Sequence, residues 1–153
     1  MTKSNDQTEA ILLVDDNPTN LASRLEGLTR VYGSSISISE PTLAQLKDPD
    51  RYKHRFVDKV QVKGKKDPVS VYEVYDGDPA AVIELKEMTK DDFEQGLGLF
   101  YDRKFAEASV KFNQVLGKHS EDRAARIYLK RCANYMVNGV PEDWTGVEIL
   151  AQK

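Results

Sequence analysis

Apolar positions along the chain change their spacing near the middle and divide it into an alternating half and a helical half. Residues 10–14, "AILLV", are a short continuous apolar run followed by acids and an asparagine, the pattern of a buried strand that ends in a turn. Pro18 suits the first turn of a helix capped by Asn17. Leu21, Leu25, Leu28 and Tyr32 then follow at steps of four, three and four, an apolar stripe along one helical face that Gly33 brings to an end. Alternation in "SSISIS" predicts a strand over 35–39, and a short helix follows from Pro41 to about Lys47. Phe56, Val60 and Val62, then Val69, Val71 and Val74, flank "KGKKDP" and predict a hairpin with a basic turn.

After a joint near Asp76 to Pro79 the spacing becomes three-and-four. Helices are predicted over 90–102, 105–117 and 121–137, carrying Phe105, Ala108, Phe112 and Val115 and then Ala125, Leu129, Cys132 and Met136 as stripes. Their short connections make antiparallel neighbours. Ser120 with Arg123 lacks the acid of a capping box, so the pattern leaves the start of the third helix open. Gly139 and Pro141 break the last helix, after which Trp144, Val147 and Leu150 are expected to fold back as a cap over it. The expected fold class is α+β: a polar tail over 1–9, a mixed block over 10–78 and a helical segment over 79–153.

Composition narrows the functional classes. The 153 residues suffice for one ordinary domain or two small ones, and 40% hydrophobic with 31% charged residues is a globular balance. No apolar run approaches the roughly 20 residues that span a bilayer, and "MTKSNDQTEA" lacks the features of a secretory signal, so a cytoplasmic location is expected. With Cys132 the single cysteine, an intrachain disulfide and a multi-cysteine metal site are excluded. A net charge of −3 gives no pull toward nucleic acid or membrane, and neither is expected as a partner. Basic residues nevertheless gather locally: Arg51, Lys53, Arg55, Lys59, Lys63, Lys65 and Lys66, with Asp58 alone opposing them.

Within the first predicted helix, Asn20 and Arg24 are four residues apart and project from the same side. A carboxamide beside a fixed guanidinium suits an oxygen-rich group that gains negative charge during reaction, such as a phosphorus centre under attack. The same pair is common on solvated helix faces, so spacing alone does not choose between the two readings. His54 and His119 read as residues of polar connectors, and Cys132 as a small core residue.

The strings "TNLASRLEGLTRVYGSSISIS" and "DKVQVKGKKDPVSVYEVY" resemble the C-terminal half of the class III nucleotide cyclase catalytic domain, over roughly residues 19–75. That resemblance implies part of a ferredoxin-like cyclase sheet with its helices. It implies a reaction converting ATP or GTP to a 3′,5′-cyclic nucleotide and pyrophosphate, a purine nucleoside triphosphate as ligand and a dimeric arrangement of domains. It implies further that Asn20 orients the ribose, that Arg24 stabilises charge on the α-phosphate, and that Lys63, in "VKG", holds the triphosphate. The family also binds two Mg²⁺ ions through aspartates upstream of this region, and only about ten ordered residues precede Asn20 here. Little or no cyclase activity is therefore expected of this chain alone.

Two shorter likenesses flank it. "ILLVDDNPTNL" looks like the first strand and loop of a response-regulator receiver domain, which makes Asp15 and Asp16 weak metal candidates; solvating a strand end and favouring a helix N-terminus is their plainer role. "GLGLFYDRKFAEASVKFNQVLGKHSED" looks like one tetratricopeptide repeat, with Gly96, Phe105, Ala108 and Phe112 at its small and aromatic positions, and implies docking or a protein partner. The simplest account is a join between a receiver start and the later half of a cyclase domain. Its function is then that of a cyclase fragment in signal transduction, alone or complementing a complete domain. The alternative is a non-enzymatic interaction module of a two-component signalling protein that acts through its helices.

Overall fold

The computed structural model describes residues 10–12, 27, 29–34, 36–62 and 66–150. They fall into two compact units: residues 1–78 with 147–153, and residues 79–146. The chain is mixed α+β.

The first unit is a five-stranded sheet. Its strands are β1 (Ala10–Leu12), β2 (Ile36–Ser39), β3 (His54–Val62), β4 (Val69–Val74) and β5 (Glu148–Leu150), in the spatial order β1-β2-β4-β3-β5. β1 is parallel to β2, β5 is parallel to β3, and β4 is antiparallel to both of its neighbours. Four strands therefore share one direction, and β4 opposes them. The helix α1, described over 29–32, precedes β2, and Gly33 closes it at φ 67°, a left-handed value that only glycine adopts freely. After β2 come the short helix α2 (Glu40–Ala44), with Pro41 in its first turn, and a single 3₁₀ turn (Pro49–Arg51).

Pairing of β3 with β4 contains one irregularity. Phe56 faces Tyr72 and Asp58 faces Val71, so Val57 is an extra residue, a β-bulge. Up to the bulge Arg55 and Val57 point to the buried face; after it Asp58 and Val60 do, because the added residue shifts the alternation by one. Ser37, Ser39, Val71 and Glu73 complete that buried face. The opposite face carries Phe56 and Tyr72 edge to face, 5.8 Å between ring centres, with His54 6.0 Å from Tyr72.

The second unit is helical: α3 (Ala80–Met88), α4 (Lys90–Tyr101), α5 (Phe105–Lys118) and α6 (Arg123–Asn138). The sequence reading leaves α3 out, because its apolar residues, Ala80 to Ile83 with Leu85 and Met88, are spread around the helix and give no single stripe. The start of α6, which the sequence left open, is fixed by Asp122, whose carboxylate accepts the Ala125 amide at 3.1 Å. Phe93, Phe100, Phe112 and Tyr128 form the core, Phe112 lying flat on Tyr128 at 5.2 Å and 16°. Gly96 is what lets α4 and α5 approach: a Cβ there would sit 2.9 Å from two atoms of the Phe112 ring.

The tail divides in a way the sequence reading did not foresee. Trp144 does lie on the helices, stacked on Tyr101 and edge-on to Phe100, Phe105 and Tyr135. Arg103 clasps this segment, donating to the carbonyls of Glu142 (2.7 Å) and Trp144 (2.9 Å) with its guanidinium 5.8 Å over the Trp144 ring. Residues 148–150, however, are not part of a cap. They pair with Val60, Gln61 and Val62, because the outer edge of β3 presents backbone groups that an extended segment satisfies and a helical cap leaves open.

Candidate functional site

Asn20 and Arg24, Lys63, and the weaker candidates Asp15 and Asp16 all lie outside the described residues. The structure describes what flanks them. The chain leaves β1 after Leu12 toward Asp15, Asn20 and Arg24, and leaves β3 after Val62 into Lys63. β1 and β3 run in the same direction, so both exits are at the same end of the sheet. In the order β1-β2-β4-β3 they are three strand spacings apart, about 14 Å.

Toward the other end of the sheet, where β2 and β3 begin, its buried face holds ionisable groups. Arg55 and Glu73 are opposite each other across β3 and β4, 4% and 1% exposed, with Arg55 Nε donating to Glu73 Oε1 at 2.5 Å. Ser34, just beyond α1, donates to the other oxygen of Glu73 at 2.8 Å. Tyr32, in the last turn of α1, donates its hydroxyl to Asp58 Oδ2, while Asp58 Oδ1 accepts the Lys59 amide at 2.8 Å. Asp58 is fully buried. Burying charge is costly unless it is paired and hydrogen-bonded; Arg55 and Glu73 meet both conditions, and both oxygens of Asp58 are hydrogen-bonded.

This layer corrects the sequence reading of residues 51–66 as one basic region. Arg55 is buried and paired, Asp58 is turned inward to a tyrosine, and the exposed cations among the described residues of that stretch are Arg51, Lys53 and Lys66. None of Tyr32, Ser34, Arg55, Asp58 and Glu73 was singled out as a network from sequence. The available signal was a phase slip: Val57 and Val60 are three apart in a strand of period two, which implies a bulge between them.

His54 opens β3 rather than lying in a connector, whereas His119 does lie in the connector between α5 and α6, buried there with Nδ1 3.8 Å from Asp122. On the outer face, burial and then the nearby Glu40 raise the Tyr72 hydroxyl above its ordinary value. Burial likewise pushes the Cys132 thiol up to about 11, which keeps it protonated and unreactive near neutrality. Among the described residues no three acids, histidines or cysteines cluster so as to hold a metal, and no helix is long and apolar enough to cross a membrane. Asp58 and Glu73, the buried carboxylates of the sheet, are committed to Tyr32, Ser34 and Arg55.

Compared with known proteins, the chain is related in sequence to adenylate cyclases. It is 34% identical over 114 residues to the terminal-differentiation specific adenylate cyclase of Dictyostelium discoideum, covering 74% of this chain and 5% of that protein. It is 48% identical over 56 residues to an adenylate cyclase of Anabaena cylindrica, covering 36% of this chain and 11% of that one. The chain thus spans a small fraction of the length of either relative. A continuous stretch of 114 residues in a chain of 153 necessarily includes residues 40–114, so the first likeness crosses from the sheet unit into the helical one. No protein-family model matches the chain. No solved structure matches it.

Proposed function

We propose that the sheet unit is the later part of a class III adenylate cyclase catalytic domain and that its work is to supply phosphate-handling groups to a composite site. In this reading Asn20 orients the ribose, Arg24 takes up charge developing on the α-phosphate, and Lys63 holds the triphosphate. Phosphoryl chemistry of this kind rests on positioning and charge stabilisation, and a guanidinium, a carboxamide and an ammonium are suited to it. ATP rather than GTP is the substrate, since both relatives bear the name adenylate cyclase. Magnesium, which the resemblance implies, has no fitting set of ligands among the described residues. In this reading the chain by itself is an incomplete catalyst, and activity arises with a complete cyclase domain or a second copy.

The observation that carries this reading is the shared exit of β1 and β3: the chain leaves the sheet after Leu12 and again after Val62 at the same end, about 14 Å apart. The test is complementation. A complete cyclase whose own equivalent of Arg24 is replaced by alanine is mixed with this chain, and cyclic AMP is measured. Rescue that Arg24→Ala or Lys63→Ala in this chain abolishes is expected; no rescue at saturating chain overturns the proposal.

In the same reading the domain boundary falls near residue 78, the start is receiver-like, and α4 with α5 is one tetratricopeptide-like hairpin in a cytoplasmic protein. A second reading, an interaction module acting through its helices, is favoured by the exposure of Val110, Met136 and Val137, the last 83% exposed. Under it, charged substitutions at Met136 and Val137 abolish capture of a partner while complementation is unchanged.

A further inference from the structure

We infer that Tyr32 and Ser34 are positioning residues, which fix the end of α1 onto the sheet through the buried carboxylates of Asp58 and Glu73 and so set where α1 stands relative to β3. The inference rests on the proposed role of Asn20 and Arg24, residues that precede Tyr32 in the sequence of the same predicted helix.

Without Val57 as an extra residue, strict alternation would carry Asp58 to the outer face; with it, Val57 and Asp58 are both buried, and Asp58 meets the Tyr32 hydroxyl. A buried carboxylate is expensive, and Val or Leu in its place would pack the same face without that cost. What the carboxylate adds is direction. Apolar side chains allow a helix to slide along or rotate over a sheet by fractions of an ångström at little cost, whereas hydrogen bonds to ionised acceptors weaken steeply off their axes.

Two such bonds, from residues two apart, hold the α1 end at two points. Tyr32 reaches β3, and Ser34 reaches Glu73 on β4, which is itself fixed by Arg55 of β3. The first fastening ends on β3 and the second is linked to it through Glu73 and Arg55; β3 is the strand that runs into Lys63 five residues after Asp58. Arg24 is eight residues before Tyr32 in sequence, which would be about 12 Å along the predicted helix, so a small tilt at the fastened end would be magnified that far away. Misplacement by about 1 Å can cost on the order of 100-fold in rate.

The experiment uses the full chain with Tyr32→Phe and Ser34→Ala, singly and together, with Tyr32→Phe retaining the buried ring. Complementation is measured at saturating chain, so that a smaller folded fraction does not register as slower catalysis. The expected result for the double variant is a fall in kcat of tenfold or more with KM for ATP within about twofold, because charge stabilisation in the transition state is lost and ground-state binding is kept. Hydrogen exchange of the same proteins is expected to speed up at least tenfold for amides 29–34, with β3 and β4 unchanged. Full activity of the double variant, unchanged exchange in 29–34, or uniform loosening of the whole sheet overturns the inference. If the wild-type chain rescues nothing, the proposed function fails on its own, and the exchange measurement still decides whether these two hydroxyls hold α1.

Discussion

Glu73 is the residue on which the buried layer of the sheet turns, because it accepts from both Arg55 and Ser34. Replacing it with alanine leaves a guanidinium that is 4% exposed without its counter-charge. A loss of about 3–5 kcal/mol is expected in urea unfolding, partly recovered by Glu73→Leu with Arg55→Met. Gly96→Ala is expected to cost about 1–3 kcal/mol, since its Cβ would press the Phe112 ring at 2.9 Å and that ring is held flat on Tyr128. Cys132 gives a dependence on pH. Its thiol rises from the ordinary 9.0 to about 11 in the folded state, so burial favours folding fully below pH 9 and progressively less as pH climbs toward 11. Unfolding midpoints measured at pH 8 and pH 10.5 should therefore fall further for the native chain than for Cys132→Ala. At this scale the sequence was readable where an apolar stripe decides burial, as at Phe112 and Cys132. It was not readable at Arg55, Asp58 and Glu73, whose charge suggests solvent until their partners are known.

Elements were legible in proportion to the regularity of their period. β2, the β3–β4 hairpin and the three longer helices follow from alternation or from three-and-four spacing, with ends that move by one or two residues. α3 and β5 escaped because apolar residues spread around a helix and a three-residue strand show no clear period. The α4–α5 turn shows another local device. Arg103 sits at φ 66°, an uncommon conformation for a side chain with a Cβ, and its guanidinium bonds to two carbonyls of the 142–144 segment. Arg103→Gly removes backbone strain along with the clasp, and Arg103→Ala removes the clasp alone. The glycine variant is expected to melt above the alanine variant, by a difference of about 1 kcal/mol. Asn20, Arg24 and Lys63 are proposed from a motif and lie outside the described residues, whereas the support proposed for them was hidden from the sequence, because it depends on a bulge and on pairs distant in sequence.

At the scale of the whole chain, the helical unit is inserted within the sheet unit rather than appended to it, since the chain leaves after β4 and returns as β5. A chain ending at residue 146 is expected to lose stability in its sheet, seen as a lower urea midpoint, and to aggregate more readily, because β3 becomes an uncovered edge. Likeness to the Dictyostelium enzyme crosses the same boundary, so the sequence relationship covers part of both units. Insertion also links the two folding equilibria through the covalent chain itself. For β5 to reach β3, the span from 79 to 146 must bring its ends together, and a floppy loop of about 70 residues resists this by roughly 4 kcal/mol beyond a constant. Once the helices are formed, that entropy has already been surrendered. A compound that only stiffens the bundle would thereby make the last strand of the sheet harder to peel away, even though it touches no residue of the sheet.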